Sequence, residues 1–258
     1  MSHHQKHLGS SRRIFLSSVG LLPFSFCGSG GLLVPNNEKK QMKVCRSDNV
    51  RTGVSVAVVQ TTVRTGCEYV DATIRSLELQ NNYPELIIFQ PSRVLITIAE
   101  TPYLQALAVK YKCYLVVGIE EYTATTNIVN MAIFGPNRYS IFSSARDPAL
   151  RLVTEIGELF LLTSNISESK LDLSATDIVI DFRTNINLQS PSTVLKHYDT
   201  APFLVRMPPE LNLEGACIFD NTGNVLTEVG ADWDHILTAD LDFRQLLRCR
   251  GRTLQAVV

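Results

Sequence analysis

Short apolar runs of strand length alternate with amphipathic segments in the first half of this sequence. The earliest run, residues 54–60, is rich in β-branched residues, which favour strands. Apolar residues then recur at helical spacing before the next run begins. We predict strands over 54–60, 84–89 and 115–122, and helices over 67–81 and 101–112. The alternation indicates a layered α/β protein.

Hairpins dominate the second half of the sequence. One is expected around Gly135-Pro136-Asn137, and another across residues 220–224, because both stretches are rich in turn-forming residues. We predict strands over 127–134, 139–144, 159–162, 177–182, 203–207, 216–219, 225–227 and 236–239, and a helical tail over 243–254. Strands joined both by helices and by hairpins predict mixed sheets.

The stretch 157–165 combines an apolar run with three small polar residues, Thr163, Ser164 and Asn165. A buried strand that ends in a hydroxyl-bearing turn is a common way to present a nucleophile. Thr163 and Ser164 are therefore the residues at which chemistry is first sought.

Composition narrows the function classes. The chain has 258 residues, of which 45% are hydrophobic and 19% charged, which is typical of a globular protein. A net charge of −1 without a strongly basic patch argues against a nucleic-acid partner. The six cysteines form no C-x-x-C pair, so neither a zinc site nor any other metal or cofactor is expected. In an exported protein Cys45 and Cys67 could pair, but the sequence does not fix their connectivity.

The N-terminal segment has the layout of an export signal. Arg12 and Arg13 are followed by Ile-Phe-Leu and by a mildly apolar stretch rich in Gly and Ser. Paired arginines before x-Phe-Leu resemble the bacterial twin-arginine signal. Pro23 and several glycines interrupt the stretch, so no stable membrane span is expected. We predict an export signal and linker over 1–40, a folded domain over 50–258, and a location in the bacterial periplasm or cell envelope.

The landmarks of the folded domain resemble the nitrilase, or carbon–nitrogen hydrolase, superfamily over roughly residues 52–245. The matching pieces are residues 56–60, 86–89, 115–120, 127–136, 154–159 and 215–226. The resemblance implies a four-layer α-β-β-α sandwich with the catalytic groups at strand ends. It also implies amide or nitrile hydrolysis by a Glu base, a Lys and a Cys nucleophile.

All three catalytic positions depart from the family pattern. Gln90 or Pro91 stands where the glutamate is expected, and neither can act as a carboxylate base. Arg146 stands near the lysine position, although a guanidinium does not replace an ammonium. The cysteine position is Thr163, or Ser164 if the alignment slips by one. No intact triad is therefore predicted.

Two functional hypotheses follow. The first is an exported, degenerate family member that serves as a non-catalytic binding or interaction module for a small amide-like ligand. The second is an active amidase or nitrilase-type hydrolase in which Thr163 or Ser164 is the nucleophile and Arg146 stabilises the oxyanion. His197 and Asp199 are the candidate source of its base, although an exposed polar loop is the preferred interpretation of that stretch. The alternative to both is a structural subunit that dimerises through the sheet-edge helices without a ligand. Relatives commonly associate through the face after the nucleophile, and residues 167–172 are short and polar there, so a homo-oligomer is possible but the oligomeric state stays open.

Trp233 has two possible roles in this sequence. It could be an aromatic contact for a ligand, but packing at the start of the last strand is the preferred interpretation. Pro208 and Pro209 remove two backbone N–H donors where relatives carry a pocket rim. The second feature weakens the prediction of a family-like substrate site.

Overall fold

The computed structural model describes residues 52–62, 65–122, 127–137, 139–142, 149–163, 173, 175–183, 202–207, 215–230 and 233–249. The helices in this part of the chain are α1 (Cys67–Leu79), α2 (Thr101–Tyr111) and α3 (Phe243–Cys249), and a 3₁₀ turn, Ile98–Glu100, precedes α2. The strands are β1 (Gly53–Gln60), β2 (Leu86–Phe89), β3 (Leu95–Thr97), β4 (Tyr114–Tyr122), β5 (Asn127–Phe134), β6 (Tyr139–Phe142), β7 (Ala149–Thr154), β8 (Gly157–Leu162), β9 (Ile178–Asp181), β10 (Phe203–Arg206), β11 (Cys217–Phe219), β12 (Val225–Glu228) and β13 (His235–Asp242).

Two mixed sheets contain all of these strands. The first has the order β13-β1-β2-β4-β5-β6, with β3 also paired to β4. β1 runs parallel to β2 and antiparallel to β13, so the chain closes one side of this sheet with its last strand. The second sheet has the order β12-β11-β10-β9-β8-β7. Its central strands β8, β9 and β10 are parallel, which brings their carboxyl ends to one edge.

The two sheets face each other across a shared apolar core. Alternate residues of β1 and β2 point into it, and they meet alternate residues of β8, β9 and β10. The inward side chains include Val56, Val58, Leu86, Ile88, Leu159, Leu161, Ile178, Ile180 and Val205. Aligned stacking of two sheets with interdigitating apolar faces is the geometry of a β-sandwich.

The helices α1 and α2 cover the outer face of the first sheet. Val70, Ile74 and Leu77 of α1 lie buried against Val59 and Phe89, since these residues share one core cluster. The outer face of the second sheet carries a further buried cluster, formed by Phe160, Leu162, Leu173, Val179, Leu204 and Phe219. Apolar residues therefore line both faces of both sheets, as strands covered on each side require.

The predicted α/β sandwich with two mixed sheets is confirmed, and both predicted hairpins form. β5 and β6 pair antiparallel around Gly135, and β11 pairs with β12. Two strands were missed. β3 has only three residues, and β7 is an edge strand whose half-buried side chains give a weak apolar signal. The last strand is also longer than predicted, because β13 spans His235–Asp242.

Candidate functional site

The carboxyl ends of the strands meet along one edge of the sandwich. In the second sheet, Leu162, Asp181 and Arg206 lie in one row, so Thr163 lies just beyond that row. In the first sheet, Gln60 is the last residue of β1, and Gln90 directly follows β2. A hydrogen bond from the Ala216 N–H to Gln60 Oε1, 2.7 Å long, joins the two sheets there. Groups at the ends of both sheets are thus gathered at one place.

Gln90 is buried, with 1% of its surface exposed, and it holds the two parallel strands together. Its backbone N–H donates to the Val59 carbonyl at 3.2 Å, and its Oε1 accepts from the Thr61 N–H at 3.4 Å. Pro91 follows, and a Cβ on Gly118 would lie 2.1 Å from the Pro91 carbonyl oxygen, so only glycine fits there. Position 90 therefore carries a neutral amide in a structural role, and an amide cannot accept a proton usefully at neutral pH.

Gln60 is the second buried amide at this edge, and the sequence did not mark it. Its Nε2 donates to the carbonyls of Gly230, at 2.8 Å, and Trp233, at 2.9 Å. Together with the bond from Ala216, three backbone groups of one distant loop region depend on this side chain. The only sequence signal is a polar residue at the end of a β-branched run. Gln60 positions the loop that precedes β13 against the end of β1.

Thr163 is half-buried at the end of β8, directly after the buried residues Leu161 and Leu162. Its strand starts at Gly157, where the backbone φ is +130°, and turns tightly out of β7. The Asp177 carboxylate accepts a 2.8 Å hydrogen bond from the Glu158 N–H, which anchors the start of β8 beside β9. These contacts fix the position of β8, and the residue at its carboxyl end is a threonine.

A buried ion pair lies next to the carboxyl end of β8. The Arg183 guanidinium donates to both Asp181 oxygens, at 2.8 Å and 2.7 Å, and the Arg183 N–H donates to the same carboxylate at 3.0 Å. Both side chains are almost completely buried. Arg206 is also buried and lies in register with Asp181 and Cys217. The signal for these groups was present, since charged residues directly follow the apolar runs of β9 and β10.

The Asp181–Arg183 pair fixes geometry and does not supply a base. A carboxylate whose two oxygens both accept from one guanidinium is fixed in position by charge-assisted hydrogen bonds. Removing one partner of such a pair would leave a buried charge uncompensated. We therefore regard the pair as a structural support of the strand ends.

The described thiols do not resemble a cysteine nucleophile. Cys67 and Cys113 are buried in the core between the first sheet and its helices, and Cys217 is half-buried. Burial raises the pKa of the Cys67 thiol to about 11 and that of Cys113 to about 12. Reactive cysteines have a lowered pKa, because the thiolate is the nucleophile. Cys67 and Cys113 are therefore inert packing residues at neutral pH.

Trp233 is 70% exposed, so the preferred packing interpretation was wrong. Its carbonyl accepts from Gln60, and its indole lies close to Gly230, where an added Cβ would be 3.3 Å from the ring. The next residue, Asp234, accepts hydrogen bonds from the Thr62 N–H and hydroxyl, and the N–H bond lowers the Asp234 pKa. The loop is held by its backbone, which leaves the indole at the surface of the strand-end edge.

Several predicted site residues lie outside the described part of the chain. These are the export segment, Cys45, Arg146, Ser164, His197, Asp199, Pro208 and Pro209. Of the predicted site residues, the structure places Gln90, Pro91 and Thr163. Among the described residues, no group of three or more His, Cys, Asp or Glu side chains could hold a metal ion. No helix in the described ranges has the length and apolarity to span a bilayer.

Comparison with known proteins gives similarity in structure without similarity in sequence. No protein-family model matches the chain, and no curated protein matches it significantly. A CN-hydrolase superfamily protein from Xanthomonas campestris, solved with an arsenic adduct in its active site, superimposes with a TM-score of 0.55 at 9% identity. The match covers 78% of this chain and 95% of that protein.

An amidase from Nesterenkonia sp. superimposes with a TM-score of 0.53 at 13% identity, over 76% of this chain and 94% of the amidase. A mutant of the amidase from Nesterenkonia sp. AN1, solved in complex with butyramide, gives the same TM-score at 12% identity, over 76% of this chain and 94% of that protein. The chain therefore has the nitrilase, or carbon–nitrogen hydrolase, fold. Because identity is this low, the likeness establishes the fold alone.

Proposed function

We propose that this protein is an exported, catalytically degenerate member of the carbon–nitrogen hydrolase superfamily that acts as a binding or interaction module. The observation that carries the proposal is Gln90. It occupies the strand end where the family resemblance expects the glutamate base, and its side-chain oxygen is bonded to the Thr61 N–H. A nucleophile at Thr163 needs a competent base, since a hydroxyl ionises far less readily than a thiol.

The edge suits recognition of a small neutral ligand better than turnover. Gln60 and Gln90 are buried neutral amides that hold the strand ends through backbone groups, and the half-buried Thr163 adds a hydroxyl at the end of β8. The superimposed amidase was solved with butyramide, so small primary amides are the first ligands to test. We propose that an amide-like molecule binds at these strand ends without being hydrolysed.

The decisive experiment is a turnover assay on the purified protein with a panel of short amides and nitriles, following ammonia release. We expect no release above the rate without protein. Thr163→Ala is the test variant, and Thr238→Ala, at an exposed position of β13, is its matched control. Turnover that Thr163→Ala abolishes and Thr238→Ala preserves would refute the proposal and favour the active-hydrolase hypothesis.

Export is tested separately. The full-length protein is produced in bacteria, and the periplasmic fraction is compared with that of the Arg12→Lys, Arg13→Lys variant. We expect the variant to stay in the cytoplasm, because the twin-arginine pathway reads the arginine pair. Equal periplasmic amounts of both proteins would argue against this route of export.

A further inference from the structure

Trp233 is an exposed tryptophan whose backbone is held on both sides. The residue is 70% exposed. Before it, Gln60 Nε2 donates to the carbonyl of Gly230 at 2.8 Å, and the same amide donates to the Trp233 carbonyl at 2.9 Å. After it, Asp234 Oδ1 accepts hydrogen bonds from the N–H and the hydroxyl of Thr62. These bonds fix the point at which the indole leaves the backbone.

The indole also lies against the backbone of a neighbouring glycine. A Cβ added to Gly230 would be 3.3 Å from Cδ1 of the Trp233 ring and 3.7 Å from Nε1. A Cβ added to Gly215 would be 1.7 Å from the Val229 carbonyl oxygen and 2.8 Å from the Gly230 carbonyl carbon. The two glycines therefore let these chain segments and the edge of the ring pack closely. One edge of the indole is supported, while most of the residue's surface stays exposed.

We propose that the Trp233 indole is a stacking surface for the ring of a ligand, so that the strand-end edge takes aromatic primary amides in preference to aliphatic ones. This inference rests on the proposed function, because it names the class of amide that binds there. Two properties of the residue support it, namely the fixed position of the ring and the charge beside it.

A ring that is already fixed binds another ring at low cost. Offset or edge-to-face stacking strengthens an interaction about two- to tenfold beyond the effect of the buried area. Ordering a free side chain on binding would cancel a gain of this size. Because Gln60, Gly230 and Thr62 already restrict Trp233 and its neighbours, we expect most of that gain to be retained.

The position and charge of this surface suit a neutral amide. The amide of Gln60 that holds Trp233 also accepts from the Ala216 N–H at 2.7 Å, so the indole lies where the two sheets meet. The bond from the Thr62 N–H lowers the pKa of Asp234, so this carboxylate is ionised at neutral pH. A negative charge next to the indole disfavours an aromatic carboxylate and leaves a neutral aromatic amide unaffected.

The test is the affinity of the purified protein for three aromatic amides, measured by isothermal titration calorimetry. Benzamide, phenylacetamide and 3-phenylpropanamide vary the distance between ring and amide, and each is paired with its cyclohexyl analogue of the same chain length. We expect at least one aromatic amide to bind about two- to tenfold more tightly than its cyclohexyl partner. Trp233→Ala should reduce this ratio to about one, and Trp233→Phe should keep an aromatic preference.

Tyr83→Ala is the matched control, because Tyr83 is an aromatic residue of similar exposure, 64%, that precedes β2 and so lies at the opposite end of that strand from Gln90. We expect it to leave the ratio unchanged. Equal affinities within each pair, or a ratio that Trp233→Ala leaves unchanged or Tyr83→Ala removes equally, would overturn this inference and leave the proposed function standing. If none of these amides binds, and butyramide does not bind either, the proposed function is refuted and this inference with it.

Discussion

Gln60 gives the clearest case of one residue on which tertiary structure depends. Its amide serves one backbone N–H and two carbonyls from residues at least 156 positions away in the sequence. Its own burial is nearly complete, at 1% exposure. An unpaired buried polar group costs about 1–3 kcal/mol, so the side chain should contribute more than an ordinary hydrogen bond.

We expect Gln60→Leu to lower the free energy of unfolding by about 2–4 kcal/mol, because leucine keeps the volume but leaves the Ala216 N–H unpaired. Urea denaturation followed by circular dichroism measures the change. Gln80→Leu, at the exposed end of α1, is the control and should alter stability by no more than about 0.5 kcal/mol. Equal stability of the two variants would show that the three bonds are replaced by water.

The thiols Cys67 and Cys113 make a prediction about pH. Burial raises the folded-state pKa of these groups to about 11 and about 12 from the ordinary thiol value of 9.0. The unfolded thiols therefore ionise first as pH rises, and stability that is complete below pH 9 is lost progressively towards pH 11 to 12.

We expect the urea concentration at the midpoint of denaturation to decrease as the pH is raised above 9. The decrease, measured for each protein relative to its own midpoint at pH 8, should be smaller in Cys113→Ala than in the unmodified protein. At pH 8, mass spectrometry after brief labelling with a maleimide should find Cys217 modified before Cys67 and Cys113. Rapid labelling of Cys113 in the folded protein would contradict its burial.

At the scale of elements, the hairpin of β7 and β8 determines where Thr163 lies. Gly157 begins β8 with a φ of +130°, and a Cβ there would lie 3.0 Å from Asp177 Oδ2, the acceptor for the Glu158 N–H. Thr154 Oγ1 also donates to the Gly157 carbonyl at 2.6 Å. Backbone conformation and side-chain bonding thus both require glycine at this turn.

We expect Gly157→Ala to destabilise the protein by about 1–3 kcal/mol, since it adds both backbone strain and a close contact. Thermal or urea unfolding is the measurement. Gly66→Ala is a suitable control, because the nearest atom to an added Cβ there is 3.7 Å away and its φ is negative, at −130°. A loss in Gly66→Ala as large as that in Gly157→Ala would show that the turn geometry is not responsible.

The sequence predicts well those helices and strands that have a local apolar pattern. It does not predict which strands pair with each other. β1, α1, β2, α2 and β4 were predicted to within two residues, because these strands are continuous apolar runs that are buried on both faces, and α1 buries residues at a spacing of about 3.6. The order of the strands within a sheet cannot be predicted in the same way. β1 pairs with β13, about 180 residues later, and no local pattern contains that choice. Trp233 was misassigned for the same reason, since its exposure depends on a loop that the distant Gln60 holds.

At the scale of the whole molecule, the two sheets and the C-terminal loop region converge on one edge. Trp233 is the only tryptophan in the chain and stands exposed at that edge, one hydrogen bond from Gln60. The molecule therefore contains a single indole fluorophore, which lies next to the proposed ligand site. Its emission reports on the edge without any label.

We expect the emission of the free protein to be typical of a hydrated indole, and to change saturably on titration with butyramide if the amide binds at the strand ends. Thr163→Val should weaken the apparent affinity several-fold, because one hydrogen bond contributes about 0.5–1.5 kcal/mol. N-acetyltryptophanamide under the same additions controls for collisional quenching and solvent effects. A change that is linear in amide concentration, and equal in the protein and the control, would place the ligand elsewhere. A saturable change that is the same in Thr163→Val would show that the ligand binds near Trp233 without contacting Thr163. The binding site would then lie on the first sheet and its loop and not at the end of β8.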